Sequence, residues 1–134
     1  MTQFRISEAA ELLGVSDDTV RRWVDAGALA TTSDESGRAV VGGADLAAFA
    51  VERAKAPDDD GRHRSSARNR FAGLVTAITS DTVMAQVELQ CGPFRVVSLM
   101  SSEAVHELGL EVGSRASAVV KATTVVVETP GGLR

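Results

Sequence analysis

The hydrophobic pattern changes period near residue 56. Before that point apolar residues recur every three or four positions, as on helices; beyond it they alternate, as on strands. Phe4-Arg5-Ile6 reads as a short extended start. Ser7 predicts an N-cap, but Ala10 stands three residues on, so the reciprocal Glu of a capping box is missing. Ala9, Ala10, Leu12 and Leu13 form the apolar face of this first helix, Gly14 ends it and Val15 plugs the turn. Ser16 caps a second helix, whose first turn carries Asp17 and Asp18, where the helix dipole favours negative charge. Val20, Trp23 and Val24, at i, i+3 and i+4, make its buried face, and Thr19, Arg21 and Arg22 lie off it. Ala26-Gly27 stops the helix. Thr31 to Val41, polar and centred on Ser36-Gly37, predicts a two-stranded wing. A third helix over Ala44–Ala54 sets Leu46, Phe49, Ala50 and Arg53 on one side.

The stretch Ala56-Pro57-Asp58-Asp59-Asp60-Gly61-Arg62-His63-Arg64-Ser65 has the composition of a linker: Pro, Gly, an acidic run, a basic run and no apolar period. After it the pattern predicts strands over Ala72–Thr79, Val83–Leu89, Phe94–Met100, Ala116–Val120 and Val125–Glu128. Turns fall at Ser80-Asp81, Cys91-Gly92-Pro93 and Val112-Gly113, and a short helix over Ser102–Leu108 ends at Gly109. In the second strand Val83, Ala85, Val87 and Leu89 alternate with Met84, Gln86 and Glu88. Five short strands with one inserted helix suit a small barrel of the oligonucleotide/oligosaccharide-binding (OB) type. The expected fold class is therefore α+β in two small domains. A winged helix-turn-helix covers residues 1–56, a linker 57–65, a five-stranded OB-type β-barrel 66–130, and a tail 131–134.

Composition narrows the function. At 134 residues the chain is too short for a barrel enzyme or a two-domain dinucleotide enzyme. Ala (20) and Val (18) dominate the apolar residues, aromatics are 4%, and there is no Tyr. So thin a core gains from burial between chains, and an oligomer is expected. A single Cys excludes an intrachain disulfide and a Cys-rich zinc site, and places the chain by default in the cytoplasm. No apolar run approaches a membrane span, and Met1–Ala10 lacks a signal-peptide pattern. Residues 1–56 carry 6 basic and 9 acidic residues, so contact with DNA has to come from a local patch and not from bulk charge. Cys91 beside Gly92-Pro93 reads as a turn residue, His63 and His106 are isolated, and Asp58-Asp59-Asp60 reads as a solvated spacer. No Ser/His/Asp set or carboxylate pair points to catalysis, so no enzyme and no bound metal cation are expected.

Helix, tight turn at Gly14, and a capped second helix with two adjacent arginines is the arrangement that lays a recognition helix in the major groove. Thr19 and an arginine reach base edges, and the other arginine and the helix N-terminus hold phosphates; Thr19 is assigned to bases and Arg22 to phosphate. A plain helical hairpin with solvated arginines has the same pattern. The run Arg5-Ile6-Ser7-Glu8-Ala9-Ala10-Glu11-Leu12-Leu13-Gly14-Val15-Ser16, then Thr19-Val20-Arg21-Arg22-Trp23, resembles the winged helix-turn-helix of the MerR and excisionase-like superfamily. Asp45-Leu46-Ala47-Ala48-Phe49 resembles its third helix. The resemblance implies binding of double-stranded DNA through Ser16, Thr19, Arg21 and Arg22, with Arg38 in the wing. The wing sequence Glu35-Ser36-Gly37-Arg38 is less basic than is common there.

In the second part, Ser66-Ala67-Arg68-Asn69 precedes the first strand, Lys121-Ala122-Thr123 follows a late one, and Ser101 stands at a strand-to-helix junction. Hydroxyls, a guanidinium, an ammonium and backbone N–H groups are what a small tetrahedral dianion binds. Solvated strand ends offer the same groups. Ser66-Ala67-Arg68-Asn69, Gly73-Leu74-Val75, Leu108-Gly109-Leu110 with Gly113, and Val119-Val120-Lys121-Ala122 resemble the molbindin (Mop) domain of the TOBE group. That resemblance implies an OB-type fold in intertwined oligomers that binds molybdate or tungstate at subunit boundaries. It implies contacts from Ser66, Arg68 and Lys121, backbone contacts from Ala67 and Ala122, and Ser101 from a neighbouring chain. Ala104 stands where some relatives have a serine, with Thr123 close by.

Together these features lead to an expected molybdate- or tungstate-responsive DNA-binding regulator that forms a homo-oligomer through residues 66–130. Two alternatives stand beside it. One is an oxyanion buffer or carrier without DNA binding; the other is a constitutive architectural DNA binder oligomerised by its barrel.

Overall fold

A computed structural model describes residues 2–54 and 65–131. Most of the expected linker and three residues of the expected tail lie outside the described residues. The chain divides into two compact units, Met1–Lys55 and Ala56–Arg134, in an α+β arrangement.

The first unit runs β1 (Gln3–Arg5), α1 (Ile6–Leu13), α2 (Asp17–Asp25), β2 (Thr32–Ser33), β3 (Ala39–Gly42) and α3 (Gly43–Arg53). The extended start has a partner: β1 pairs antiparallel with β3, Phe4 opposite Val41, and β3 also pairs with β2 to form the wing. Ser7 is not the cap of α1. The cap is Arg5, so the helix begins two residues earlier, and the Glu8 carboxylate accepts the Arg5 backbone N–H at 3.0 Å. Gly14, at φ +68°, turns the chain out of α1, a left-handed conformation that glycine adopts without strain. Ser16 caps α2 as expected, its Oγ accepting the Thr19 N–H at 3.2 Å. The core joins Ala9, Ala10, Val20, Leu29, Val41, Leu46 and Phe49. Leu12, expected on the apolar face, is 61% exposed: Ala9 and Ala10 point inward, and Leu12 falls off their side of a 3.6-residue period. Trp23 of α2 packs on Phe49 of α3 with ring centroids 4.9 Å apart, and the Arg53 guanidinium lies 4.9 Å from the Trp23 ring centre.

The second unit runs β4 (Asn69–Ser80), β5 (Met84–Cys91), β6 (Phe94–Ser101), α4 (Ser102–Leu108), β7 (Arg115–Val120) and a 3₁₀ turn at Ala122–Thr124. The sheet is four-stranded and antiparallel, in the order β6-β5-β4-β7. The fifth strand expected at Val125–Glu128 is not formed, because among the described residues no strand lies beside it and a strand needs a partner for its backbone groups. β4 is long because it serves two neighbours. Asn69–Leu74 pairs with β7 and Leu74–Ser80 with β5, with a bulge between Val75 and Ala77. Val75, Val87, Leu89 and Cys91 make the core, flanked by Ile78, Val96, Met100, Val105, Leu110 and Ala116. Cys91 is therefore a buried strand residue and not a turn residue, and Gly92, at φ +60°, opens the turn. Val83 sits before β5 and is exposed. The sheet curls so that its two edge strands, β6 and β7, line one apolar groove of about 480 Å³. Among the described residues no helix is long and apolar enough to cross a membrane.

Candidate functional site

The exposed side of α2 carries the residues expected to meet DNA. Ser16, Arg21 and Arg22 are exposed and Thr19 is half-buried, while Val20 beneath them is fully buried and fixes the rotation of the helix. Arg22 Nη2 donates to Thr19 Oγ1 at 3.1 Å, and Thr19 Oγ1 lies 2.9 Å from Ser16 Oγ. Arg21 Nη1 is 3.5 Å from Asp18 Oδ1, a pair not among the sequence expectations. Its signal was the i, i+3 spacing on one helix face. Arg38 lies in the wing turn between β2 and β3, where its backbone N–H donates to Asp34 Oδ1 at 2.9 Å. Asp34 also accepts the Ser36 N–H at 2.8 Å, so one carboxylate shapes the wing tip.

In the second unit the β4–β7 ladder ends with Asn69 opposite Val120. Ser66-Ala67-Arg68, just before β4, and Lys121-Ala122, just after β7, therefore leave the same end of the sheet side by side. Asn69 Nδ2 donates to the Val120 carbonyl at 3.2 Å and ties the two segments together. Neither spacing nor composition singled out this role for Asn69; its signal was a side-chain amide at the mouth of a strand. Ser66, Arg68, Lys121 and Ala122 are exposed, and Ala67 is half-buried. Arg68 Nη1 makes only a long contact, 3.5 Å, with the Ser66 carbonyl. The backbone N–H of Ala67, a residue expected to give a backbone contact, donates to Ser65 Oγ at 3.1 Å. Lys121 holds the following turn with its carbonyl, which accepts from Thr124 N–H at 3.0 Å and from Thr124 Oγ1 at 2.9 Å. Its side chain takes no part in that turn. The donor set at this end, two cations and a hydroxyl, fits an oxyanion.

Ser101 lies elsewhere. It ends β6 opposite Met84, and the register from Ser80 through Ala85 to Met100 puts it at the far end of β4. Along a twelve-residue strand that is on the order of 35 Å, at about 3.3 Å per residue. A single chain therefore brings five of the six expected oxyanion residues to one end and Ser101 to the other. Ser101 Oγ caps α4 by accepting the Ala104 N–H at 3.1 Å, which leaves its own proton to donate. Nearby, Asp81 shapes the β4–β5 turn. The backbone N–H groups of Met84 and Val83, each 2.7 Å from its Oδ1, hold its carboxyl below the ordinary aspartate range.

Residues 65–127 match the TOBE domain family, and residues 4–53 match a helix-turn-helix domain family. The "Probable molybdenum-pterin-binding protein" of Haemophilus influenzae is 46% identical over 63 residues, which are 46% of this chain and 91% of that protein. "Molybdenum-pterin-binding protein 2" of Clostridium pasteurianum is 38% identical over 63 residues and is covered to 93%. The "Molybdenum transport protein ModE" of Herbaspirillum seropedicae is 39% identical over 67 residues, 49% of this chain; the chain spans only 25% of the length of that relative. Among solved structures, apo MopII from Clostridium pasteurianum is 36% identical with a TM-score of 0.46, covering 49% of this chain and 100% of that one.

Proposed function

Because the chain belongs to the molbindin-type TOBE family through residues 65–127, and carries a helix-turn-helix domain over residues 4–53, we propose that it is a DNA-binding transcriptional regulator that responds to molybdate or tungstate. It is a binding protein and not an enzyme, and it acts in the cytoplasm. Residues 1–56 meet double-stranded DNA through Ser16, Thr19, Arg21 and Arg22, with Arg38 in a MerR-like wing. Residues 66–130 bind the oxyanion, with 57–65 as the linker.

The observation that carries this function is the meeting of Ser66–Arg68 with Lys121–Ala122 at one end of the β4–β7 ladder, two cations and a hydroxyl on adjacent segments. Ser101 at the opposite end supports a site completed by a second chain. The unclosed sheet supports it as well. Val126 and Val127 are 82% and 85% exposed, and β6 and β7 keep open edges around an apolar groove. A second copy of this chain that laid its Val125–Glu128 segment along such an edge would cover both apolar surfaces. An oxyanion held between chains stabilises the assembly by mass action, and the assembly sets how the DNA-binding units are presented.

An electrophoretic shift with and without molybdate, run beside light scattering, tests the function. A molybdate-dependent shift by an oligomer is expected. A molybdate-independent shift favours a constitutive architectural protein. No shift under either condition favours an oxyanion buffer, the reading supported by the excess of acidic residues in 1–56 and the Asp18–Arg21 pair.

A further inference from the structure

The series of side chains on α2 assigns roles within the DNA-reading helix, and the assignment rests on the DNA-binding reading above. Arg22 Nη2 donates to Thr19 Oγ1 at 3.1 Å, and Thr19 Oγ1 meets Ser16 Oγ at 2.9 Å. Ser16 Oγ also accepts the Thr19 backbone N–H at 3.2 Å. A hydroxyl has one proton and two lone pairs. The cationic donor on Thr19 Oγ1 polarises its O–H and makes it the stronger donor of the two hydroxyls, so the relay runs from Arg22 through Thr19 to Ser16. Thr19 then has its proton and one lone pair engaged inside the helix. The remaining N–H donors of the Arg22 guanidinium, and the Ser16 proton, are left for an outside partner.

A guanidinium fork matches two acceptors on one base edge, as guanine presents them in the major groove, whereas a single threonine lone pair discriminates little. Holding the fork in one orientation before contact also lowers the ordering cost of binding. We infer that Thr19 is a positioning residue that orients Arg22, and that Arg22, rather than Thr19, reads the base edge. Ser16 and Arg21 then serve phosphate. This reverses the division of labour between Thr19 and Arg22 that their places along the helix suggest.

A double-mutant cycle on the full chain tests the inference, using duplexes that the wild-type chain retains from a random-sequence pool. Thr19→Val keeps the side-chain shape and removes the hydroxyl, and Thr19→Ser restores the hydroxyl. Thr19→Val is expected to weaken binding by roughly tenfold, the loss of one charge-assisted hydrogen bond. Thr19→Ser should return affinity to within about twofold of wild type. In an Arg22→Ala background, Thr19→Val should change affinity by less than about twofold, because its effect passes through the missing arginine. Repeating the selection with Thr19→Val and with Arg22→Ala should loosen preference at the same base position. If Thr19→Val melts early, Thr19→Ala takes its place in the cycle. An equal loss in both backgrounds, no loss in either, or loosened preference at different base positions overturns the inference and leaves DNA binding intact. Retention of no duplex by the wild-type chain overturns the DNA-binding reading, and the inference falls with it.

Discussion

Arg68→Ala and Lys121→Ala separate binding from folding. Both side chains are exposed, and the Arg68 contact with the Ser66 carbonyl, at 3.5 Å, sits at the outer limit of a hydrogen bond. The turn after β7 hangs on the Lys121 carbonyl, which any residue supplies. Each substitution should therefore alter stability without oxyanion by no more than about 0.5 kcal/mol. Against a dianion, each cation contributes a charge-assisted hydrogen bond worth about 1.5–3 kcal/mol, so each variant should bind molybdate roughly ten- to a hundred-and-fifty-fold more weakly. Calorimetry measures that loss directly. Thermal melts measure it by linkage: at a hundred times the wild-type Kd, molybdate stabilises the wild-type protein by about 2.7 kcal/mol, and a hundredfold weaker variant at the same concentration by only about 0.4 kcal/mol. Unchanged affinity in both variants would place the oxyanion elsewhere. A large loss of stability without molybdate would mean that the two cations hold the fold, and the separation of roles argued here would be refuted.

Other substitutions probe the frame around the site. A Cβ on Gly73 would meet the Gln90 carbonyl oxygen at 2.2 Å and Cys91 Sγ at 2.8 Å, so Gly73→Ala should cost about 2–4 kcal/mol in urea denaturation, since neither backbone can retreat without breaking the β4–β5 ladder. Asp18→Asn frees Arg21 from its partner and should raise DNA affinity by about two- to threefold, with a log-log salt slope steeper by up to about 0.9. The carboxyl of Asp81 is held low by the N–H groups of Met84 and Val83, so its contribution to stability is full above the unfolded pKa of about 3.9 and is lost as pH falls through the lower folded value. Asp81→Asn should flatten that acid limb in a series of melts below about pH 4.

The parts legible in the sequence are those that a few neighbouring residues decide. Ser16 followed by Thr19, the left-handed Gly14 and the spacing of Val20, Trp23 and Val24 define α2 within one turn of each residue. The start of α1 was misplaced because serine is a better cap than arginine in general. At this position the side chain of Glu8 reaches the Arg5 N–H, and counting three residues back from Glu8 locates the helix start. The pairing of β1 with β3 was missed because nothing near Phe4 specifies Val41. The same limit applies to the end of the sheet proposed to hold the oxyanion. Asn69 meets Val120 across 51 positions, and only the register of a long strand pair brings Arg68 near Lys121. Local spacing carries no trace of that register; the family resemblance does.

The Val125–Glu128 segment shows where reading one chain stops being enough. Its three valines satisfy the compositional rule for a strand, yet β-propensity measures fit to a pleated, half-buried surface and supplies no partner. Among the described residues of the second unit the open edges belong to β6 and β7, the segment runs unpaired, and its valines stay exposed. Ser101 has the same difficulty: its hydroxyl keeps a donor, but the cations it would join stand at the other end of the sheet. Under the proposed function one cause explains both, because the strand and the site are each completed by a second copy. Assembly and oxyanion binding are then thermodynamically linked: whatever tightens one tightens the other by the same free energy. The helix-turn-helix unit, with its acidic balance, gains most from such a linkage, since two weak contacts held on one assembly bind as a single strong one.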